Sequence, residues 1–409
     1  MHYLIIAQCL LAMGIPVPTQ KFLKELLTIW LTVRGRFNFT NLSRYSSVCE
    51  RTLRRGFARG FQWGEFNRRL LTIIIPVQHE LVAALDASFV KKSGKCTAGL
   101  GLFFNGCAGR VEKGLELSLL SIIDVTANTA YALSAQQTIV SEEPKNTANT
   151  GKATEAAAET RIDDYVRQVK GVRSLLPMNV CHLVVDGYYT CRKFVDGICD
   201  VDLHVVGKLR KDAGLIYPYH GPQKRRGRRR LYGERVQWSN LDQSYWQDEG
   251  ELDKGVRLQS ALLHHRTLKR LVRLVVLQQQ RSHGVSQVLL FSTDLTLSGR
   301  DIVRFYRARF QIEFLFRDAK GSMGLNHCQA RSAKALHFHW NAAFCALNIA
   351  KWQEAQRSET RRFSAASCKQ RCSNQRLLEV FSCRLGLDWR SVKSHPAYQE
   401  LCNYGAITP

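Results

Sequence analysis

Downstream of Pro76 the hydrophobic period of this chain changes, and that change restricts the possible folds more than any other feature. "LVAALDASFV", "AGLGLFFNG" and "GLELSLLSIIDV" are apolar runs of strand length, bounded by Gly or polar clusters. They predict three sheet strands joined by short turns, a meander. The polar stretch "SEEPKNTANTGKATEAAAET" follows, and its first half reads as a loop. From about Thr154 the Ala, Glu and Arg content with Ile162, Tyr165 and Val169 predicts a helix to about Leu175. "CHLVVDGYYT" is then a buried strand ending in Asp186, and "DLHVVGKLR" is another. Strand, helix, strand is the signature of a parallel crossover. The fold class is therefore α/β, a mixed sheet flanked by helices.

The flanks differ in character. Residues 1–76 read as a helical, basic, DNA-binding region. "MHYLIIAQCLLAMGIPVP" is a core helix broken at Gly14 and Pro16, because its apolar run is too short to span a bilayer and has no basic flank before it. "NFTNLSRYSSVCERTLRRGFARGF" predicts a short helix from Thr40, a turn near Ser46 to Cys49, and a second helix anchored by Leu53 and Phe57. That is helix-turn-helix size, and Arg51, Arg54, Arg55 and Arg59 are placed for a groove and its phosphates. An ordinary basic hairpin has the same pattern. The α/β core is expected over 77–207 and 286–350. A mostly β insertion at 208–285 interrupts it, although "LKRLVRLVVL" could also be helical. A helix from about Ala333 to Arg357 and a Cys-rich helical region over 351–409 complete the chain.

A chain of 409 residues with 45% apolar content can bury a large core. Its formal charge of +25 points to a polyanionic partner, with nucleic acid first. No membrane partner is expected. Thirteen scattered cysteines, never as C-x-x-C, argue for reduced thiols in a cytoplasm. His337 and His339 would point about 200° apart on a helix, which disfavours zinc among His327, Cys328, His337 and His339.

Chemistry gathers at three acids. Asp86 follows "LVAAL" and Asp186 follows "HLVV", each at or near the end of an apolar strand, where sheet sites form. Asp124, Asp196, Asp200 and Asp202 share part of that look. Asp86 leads into "SFVKKSGK", whose Lys91, Lys92 and Lys95 would gather phosphates, and Asp186 leads into Tyr188 and Tyr189. The third acid lies in "YRARFQIEFLFRDAK". At about 100° per residue, a single helix N-capped by Ser298 places Tyr306, Arg309, Glu313 and Lys320 on one edge spanning about 21 Å. Phe305, Ala308, Ile312, Leu315, Phe316 and Ala319 form the buried face beside it. Ordinary surface ion pairs would look similar. Three converging carboxylates repel and need a cation, and Mg²⁺ takes such hard ligands. Two such ions could support in-line phosphoryl displacement, with Arg309 and Lys320 clamping phosphates and Tyr306 donating its hydroxyl.

Tyr306-x2-Arg309-x3-Glu313-x6-Lys320, with "DGYYT" after the second strand and "STDL" ahead of the signature helix, resembles the Tyr-Arg-Glu-Lys group of bacterial insertion-sequence transposases of the DDE class. The resemblance covers roughly residues 78–350, and Phe310 stands where relatives commonly have Trp. It implies a ribonuclease H-like core in which Asp86, Asp186 and Glu313 hold two Mg²⁺ or Mn²⁺ ions. Its implied activity is to bind inverted-repeat transposon ends, cut them and join the freed 3′-hydroxyl to target DNA. A homodimer in the DNA complex and a cytoplasmic, nucleoid-associated location follow from the same likeness. An insertion-domain Trp would hold a flipped base, with Trp238 and Trp246 as candidates, and the basic run from Lys224 to Arg230, including Arg225 and Arg226, would lie along DNA. The alternative is a catalytically inactive, sequence-specific DNA-binding protein derived from a transposase.

Overall fold

The computed structural model describes residues 2–139, 159–238, 240–253, 255–281, 284–357 and 363–407. Five helices come first: α1 (His2–Ala12), α2 (Val17–Thr32), α3 (Phe39–Arg44), α4 (Glu50–Arg59) and α5 (Trp63–Ile74). Gly14, left-handed at φ 64°, ends the α1 turn, and Pro16 sits at the cap of α2. The α3–α4 hairpin forms as expected, with Leu53 and Phe57 buried and its four arginines exposed. A Cβ at Gly56 would lie 2.1 Å from Phe22 Cζ, so glycine is what lets α4 approach α2.

The strands are β1 (Leu81–Lys91), β2 (Gly101–Asn105), β3 (Arg110–Asp124), β4 (Thr129–Gln137), β5 (His182–Val184), β6 (His204–Leu209), β7 (Leu215–Pro218), β8 (Tyr232–Arg235), β9 (Gln247–Asp253), β10 (Val256–His265), β11 (Arg270–Arg281) and β12 (Gly284–Ser292). Among the described residues they form one 12-stranded sheet in the order β2-β3-β1-β5-β6-β12-β11-β10-β7-β8, with β4 on β3 and β9 on β10. β1, β5 and β6 run parallel, joined by crossovers through α6 (Arg161–Val172) and α7 (Arg192–Cys199). The mixed α/β class is thus present. α6 begins after a Thr160–Asp163 capping box. The part of its expected span at 154–158 lies outside the described residues.

Alternation along β1 sends side chains to two cores. Val82 and Ala84 face a cluster with Trp30, Ile312, Leu315 and Phe344, while Ala83 and Leu85 face one with Val169, Phe194 and Ile198. The sheet is therefore covered on both sides. "LKRLVRLVVL" is strand β11, paired with β12 from Arg273↔Ser292 to Arg281↔Gly284. Strands from residues 208–285 continue the same sheet outward from β12, since β12 pairs β6 on one edge and β11 on the other.

One strand has no counterpart in the sequence reading. β4, "TAYALSAQQ", is rich in small residues and carries little strand signal. Its inner edge pairs with β3. Its outer edge is satisfied by side chains of α10 (Ala333–Ala355). Asn341 accepts from Ala135 N at 3.0 Å and donates to Ala135 O at 2.8 Å. Asn348, two turns on, accepts from Ala132 N at 2.9 Å and donates to Ala132 O at 2.8 Å. Lys351 adds a bond to Ala130 O at 2.7 Å. Buried backbone groups need partners, and here helix amides take the place of a strand. The chain ends in α11 (Ala365–Arg384), α12 (Trp389–Ser394) and α13 (Ala397–Asn403). All thirteen cysteines are free thiols.

Candidate active site

The signature segment is not one helix. It forms α8 (Gly299–Ala308) and α9 (Gln311–Gly321), broken at Arg309 and Phe310. Around the break the bonds tighten to three-residue spacing, with Ile312 N donating to Arg309 O at 3.0 Å and Glu313 N to Phe310 O at 3.1 Å. The ideal-helix angles and the 21 Å span therefore do not apply. The buried face survives, because Phe305, Ala308, Ile312, Leu315, Phe316 and Ala319 are all buried. Phe310 stays half exposed. Ser298 caps α8 by accepting from Asp301 N at 3.1 Å. Asp301 takes the Ser298 hydroxyl at 2.6 Å rather than its backbone, so the capping pair is joined through side chains.

A second cap was hidden from the sequence. Glu249 of β9 accepts from Gly299 N at 3.0 Å and Arg300 N at 3.1 Å. A carboxylate at a helix N-terminus meets unpaired N–H groups and the positive end of the dipole. The acidic patch "DEGELDKG" thereby fixes α8 against the outer strands, with Arg307 paired to Asp253 as well.

Asp86 lies inside β1, not at its end. β1 continues five residues to Lys91, still paired with β3, and Asp86 faces Leu119 in that register. What ends at this level is β5. The parallel register Ala83↔Leu183 and Ala84↔Val184, extended two residues, sets Asp86 level with Asp186. Asp186 opens a one-turn 3₁₀ helix, Gly187–Tyr189, and accepts from Tyr188 N at 2.9 Å. Tyr189 is buried against Tyr165 and Phe194, which locks that turn onto the sheet.

Arg309 joins strand to helix. Its guanidinium lies 3.5 Å from Asp86 Oδ2 and 2.8 Å from Glu313 Oε1, with its side chain only 13% exposed. Burial pushes Asp86 up to about 6; the Arg309 charge opposes this, while Asp186 and Glu313 add to it. Asp86, Asp186 and Glu313 therefore share one electrostatic neighbourhood. Burial acts to lower Arg309, but the charges of Asp86, Tyr306 and Glu313 outweigh it and raise it. Tyr306 is half buried, with the Arg309 guanidinium 5.9 Å from its ring centre, and burial raises its phenol.

Lys320 is an anchor. Its Nζ donates to Ser88 Oγ at 2.7 Å and to Phe89 O at 2.9 Å, so α9 is tied to β1 just past Asp86. Burial lowers its ammonium. Ser88 is two residues from Asp86 on one strand, so the two share a face. That period-2 relation was the available signal for Ser88.

The donor chemistry of the three acids fits a hard divalent cation. As the side chains stand, Arg309 fills the space between Asp86 and Glu313. Among the described residues no group of three His, Cys, Asp or Glu is drawn together closely enough to hold an ion. The competing acids lie elsewhere. Asp124 is buried at the opposite end of β1, held by His79 Nδ1 at 2.6 Å and Ala127 N at 2.8 Å. Asp196 pairs with Arg192 and Arg270, and Asp200 with Lys170.

The other expected contacts are dispersed. Arg54 pairs with Glu50 and lies over Phe39 at 4.8 Å, whereas Arg51 and Arg55 are exposed. Lys91 is exposed, but Lys92 is partly buried and donates to Cys328 O. Arg225 and Arg226 lie in the exposed connection between β7 and β8. Trp246 is a core residue bonded to Tyr217, and Trp238 packs partly buried against it at 6.2 Å.

No helix among the described residues is long and apolar enough to cross a membrane. No curated protein matches the chain. Residues 153–349 match the family model described as the transposase DDE domain. The match holds Asp186, Glu313 and the outer strands, and begins after β1 and Asp86. This stretch of the chain is therefore similar to the DDE domain of transposases, which supports a transposase function acting on DNA.

Proposed function

We propose that the chain is a cut-and-paste DNA transposase whose Asp86, Asp186 and Glu313 form the metal-holding triad. One observation supports the reading: strand register sets Asp86 level with Asp186, and Arg309 pairs with both Asp86 and Glu313. When bound at these oxygens, Mg²⁺ or Mn²⁺ would activate the attacking oxygen and stabilise the departing one. The protein's own groups do the rest. Arg309 gives up its place between Asp86 and Glu313 and turns to a DNA phosphate, a charge-assisted bidentate partner. Lys320 keeps α9 fixed to β1, so Glu313 stays beside Asp86. Tyr306 offers its hydroxyl to the backbone next to the cut bond. A homodimer on DNA, bringing two ends together, belongs to the same proposal, as do base capture by Trp238 and backbone contacts by Arg51, Arg54, Arg55, Arg225 and Arg226.

The test uses purified full-length protein with DNA carrying the inverted repeats that flank its reading frame. With Mg²⁺, the wild type is expected to cut and join these ends. Asp86→Ala, Asp186→Ala and Glu313→Gln are each expected to abolish cutting and keep end binding. Cutting that survives all three changes would refute the triad. The Arg309 guanidinium between two of the acids also fits an inactive DNA-binding protein, and that reading prevails if the wild type binds its ends in Mg²⁺ and Mn²⁺ without nicking them.

A further inference from the structure

A second concentration of positive charge lies outside the acidic cluster. Three chain segments meet there: the connection before α3, the end of β1, and the connection between α9 and α10. Between them is a notch of about 440 Å³ lined by Arg36, Lys91, Lys92 and Arg331, with hydroxyls of Ser93 and Thr97. No aspartate or glutamate lines it. None of the four cations forms an ion pair among the described residues, although other arginines over the molecule do. Lys91 is within electrostatic range of Glu112, but that carboxylate is taken by Asn105 and Arg110 at 2.8 Å each.

The walls are held in place. Trp30 Nε1 donates to Met323 O at 2.9 Å, and His339 Nε2 meets Gly324 O at 2.9 Å. Gly324 is left-handed at φ 64°, and a Cβ there would lie 2.2 Å from Phe37, so the turn admits only glycine. Ala98 N donates to Arg331 O at 2.9 Å, and Lys92 donates to Cys328 O. A rigid concavity with four unneutralised cations and no acid is built for an anion with several charges. Like charges held together repel, and the arrangement is stable only with counterions that a polyanion can displace.

Its position identifies the anion. β1 carries Asp86 and ends at the notch five residues further on, about 17 Å at roughly 3.3 Å per residue, with Lys91 on the opposite face of the strand from Asp86. That distance is about five base pairs along a duplex axis. Arg36 precedes α3 and the arginine-bearing α4. The notch thus joins the helical hairpin to the catalytic strand.

We propose that this notch binds the phosphate backbone of duplex DNA about five base pairs from the bond being cut; the register to the cut rests on the transposase reading above. The contacts carry no base information and set where the duplex lies relative to Asp86.

The test measures binding of full-length protein to a random-sequence duplex of about 30 base pairs by fluorescence anisotropy across a salt series. The triple variant Arg36→Gln, Lys91→Gln, Arg331→Gln is expected to lower the slope of log affinity against log salt by about 2 to 3, at about 0.9 per lost phosphate contact. The matching Arg36→Lys, Lys91→Arg, Arg331→Lys variant is expected to keep the slope. Unchanged melting of both variants shows that the fold is intact. Lys92 is left alone because it supports the wall. An unchanged slope and affinity in the folded glutamine variant overturns the proposal. So does tight binding of pyrophosphate that the glutamine variant loses while its DNA slope stays the same. A wild type that binds duplex through the notch but never cuts DNA removes the transposase reading and leaves the notch as a duplex site.

Discussion

Arg309 and Asp86 dominate the electrostatics of the candidate site. Asp86 is held up to about 6, above its ordinary 3.8, so the folded chain keeps a proton there that the unfolded chain releases. That contribution to stability is complete below about pH 4 and is lost as pH rises towards 6. At neutral pH the buried charge costs on the order of 1–3 kcal/mol. Asp86→Asn is therefore expected to melt above the wild type in metal-free buffer near pH 7, with the gap closing near pH 4. Calorimetry at the two pH values decides, and a gap independent of pH would refute the burial argument. Arg309→Gln should act in the opposite direction. Without divalent ions it leaves Asp86 and Glu313 facing each other, and losing one partner of a largely buried ion pair costs about 3 kcal/mol. Added Mn²⁺ should raise its melting temperature by more than that of the wild type, because the metal no longer competes with the guanidinium. Equal Mn²⁺ shifts would show that Arg309 and the ion do not share a place. Neither residue could be weighed this way from spacing alone, since an i, i+4 Arg–Glu pair is common on exposed helices. What distinguishes it is the third partner, Asp86, 223 positions away.

Among the elements, the connections that matter most are those between side chains and backbone. α8 takes its N-terminal support from Glu249 as well as Ser298. Glu249→Gln is expected to lower stability by about 1 kcal/mol, the usual worth of a cap. It should also raise hydrogen exchange at Gly299 and Arg300 while β1 amides stay protected; uniform change across both would mean that the cap is not local. β4 depends on α10 in the same manner. Asn348→Leu leaves Ala132 N and O without partners in a buried setting, and should cost roughly 2–4 kcal/mol, since each unsatisfied group costs about 1–3 kcal/mol. Urea unfolding measures it, and a loss below half a kcal/mol would mean water or a shifted backbone replaces the amide. α4 was legible from the four-residue spacing of Leu53 and Phe57, and β1 and β3 as strand-length apolar runs, because a sheet covered on both sides buries successive residues. β4 was not, because its strand conformation comes from β3 and from two asparagines two hundred residues on. The break after Ala308 was equally hidden, as Arg309 and Phe310 are ordinary helix residues, and α9 beyond it is tied to β1 through Lys320.

Over the whole molecule, the continuous sheet makes the outer strands part of the frame. Removing residues 211–281 would strip β11 from β12 and leave a long apolar strand edge unpaired, the kind of edge that seeds aggregation. Such a deletion variant is expected to scatter light in a concentration-dependent manner on refolding; a monodisperse, cooperatively melting product would show that β12 is stable with β6 alone. By itself the sequence determined the class of fold, the helical ends and the positive charge that calls for nucleic acid, and it nominated three acids, because hydrophobic pattern, net charge and residue type are local properties. Only the tertiary structure decided that Asp86 sits within its strand level with the end of β5, that Arg309 stands between two of the acids, and that Arg36 and Arg331 meet Lys91 and Lys92 in one notch. Those are relations between segments far apart in the chain, and they are fixed by strand register and by buried hydrogen bonds that no single stretch of sequence contains.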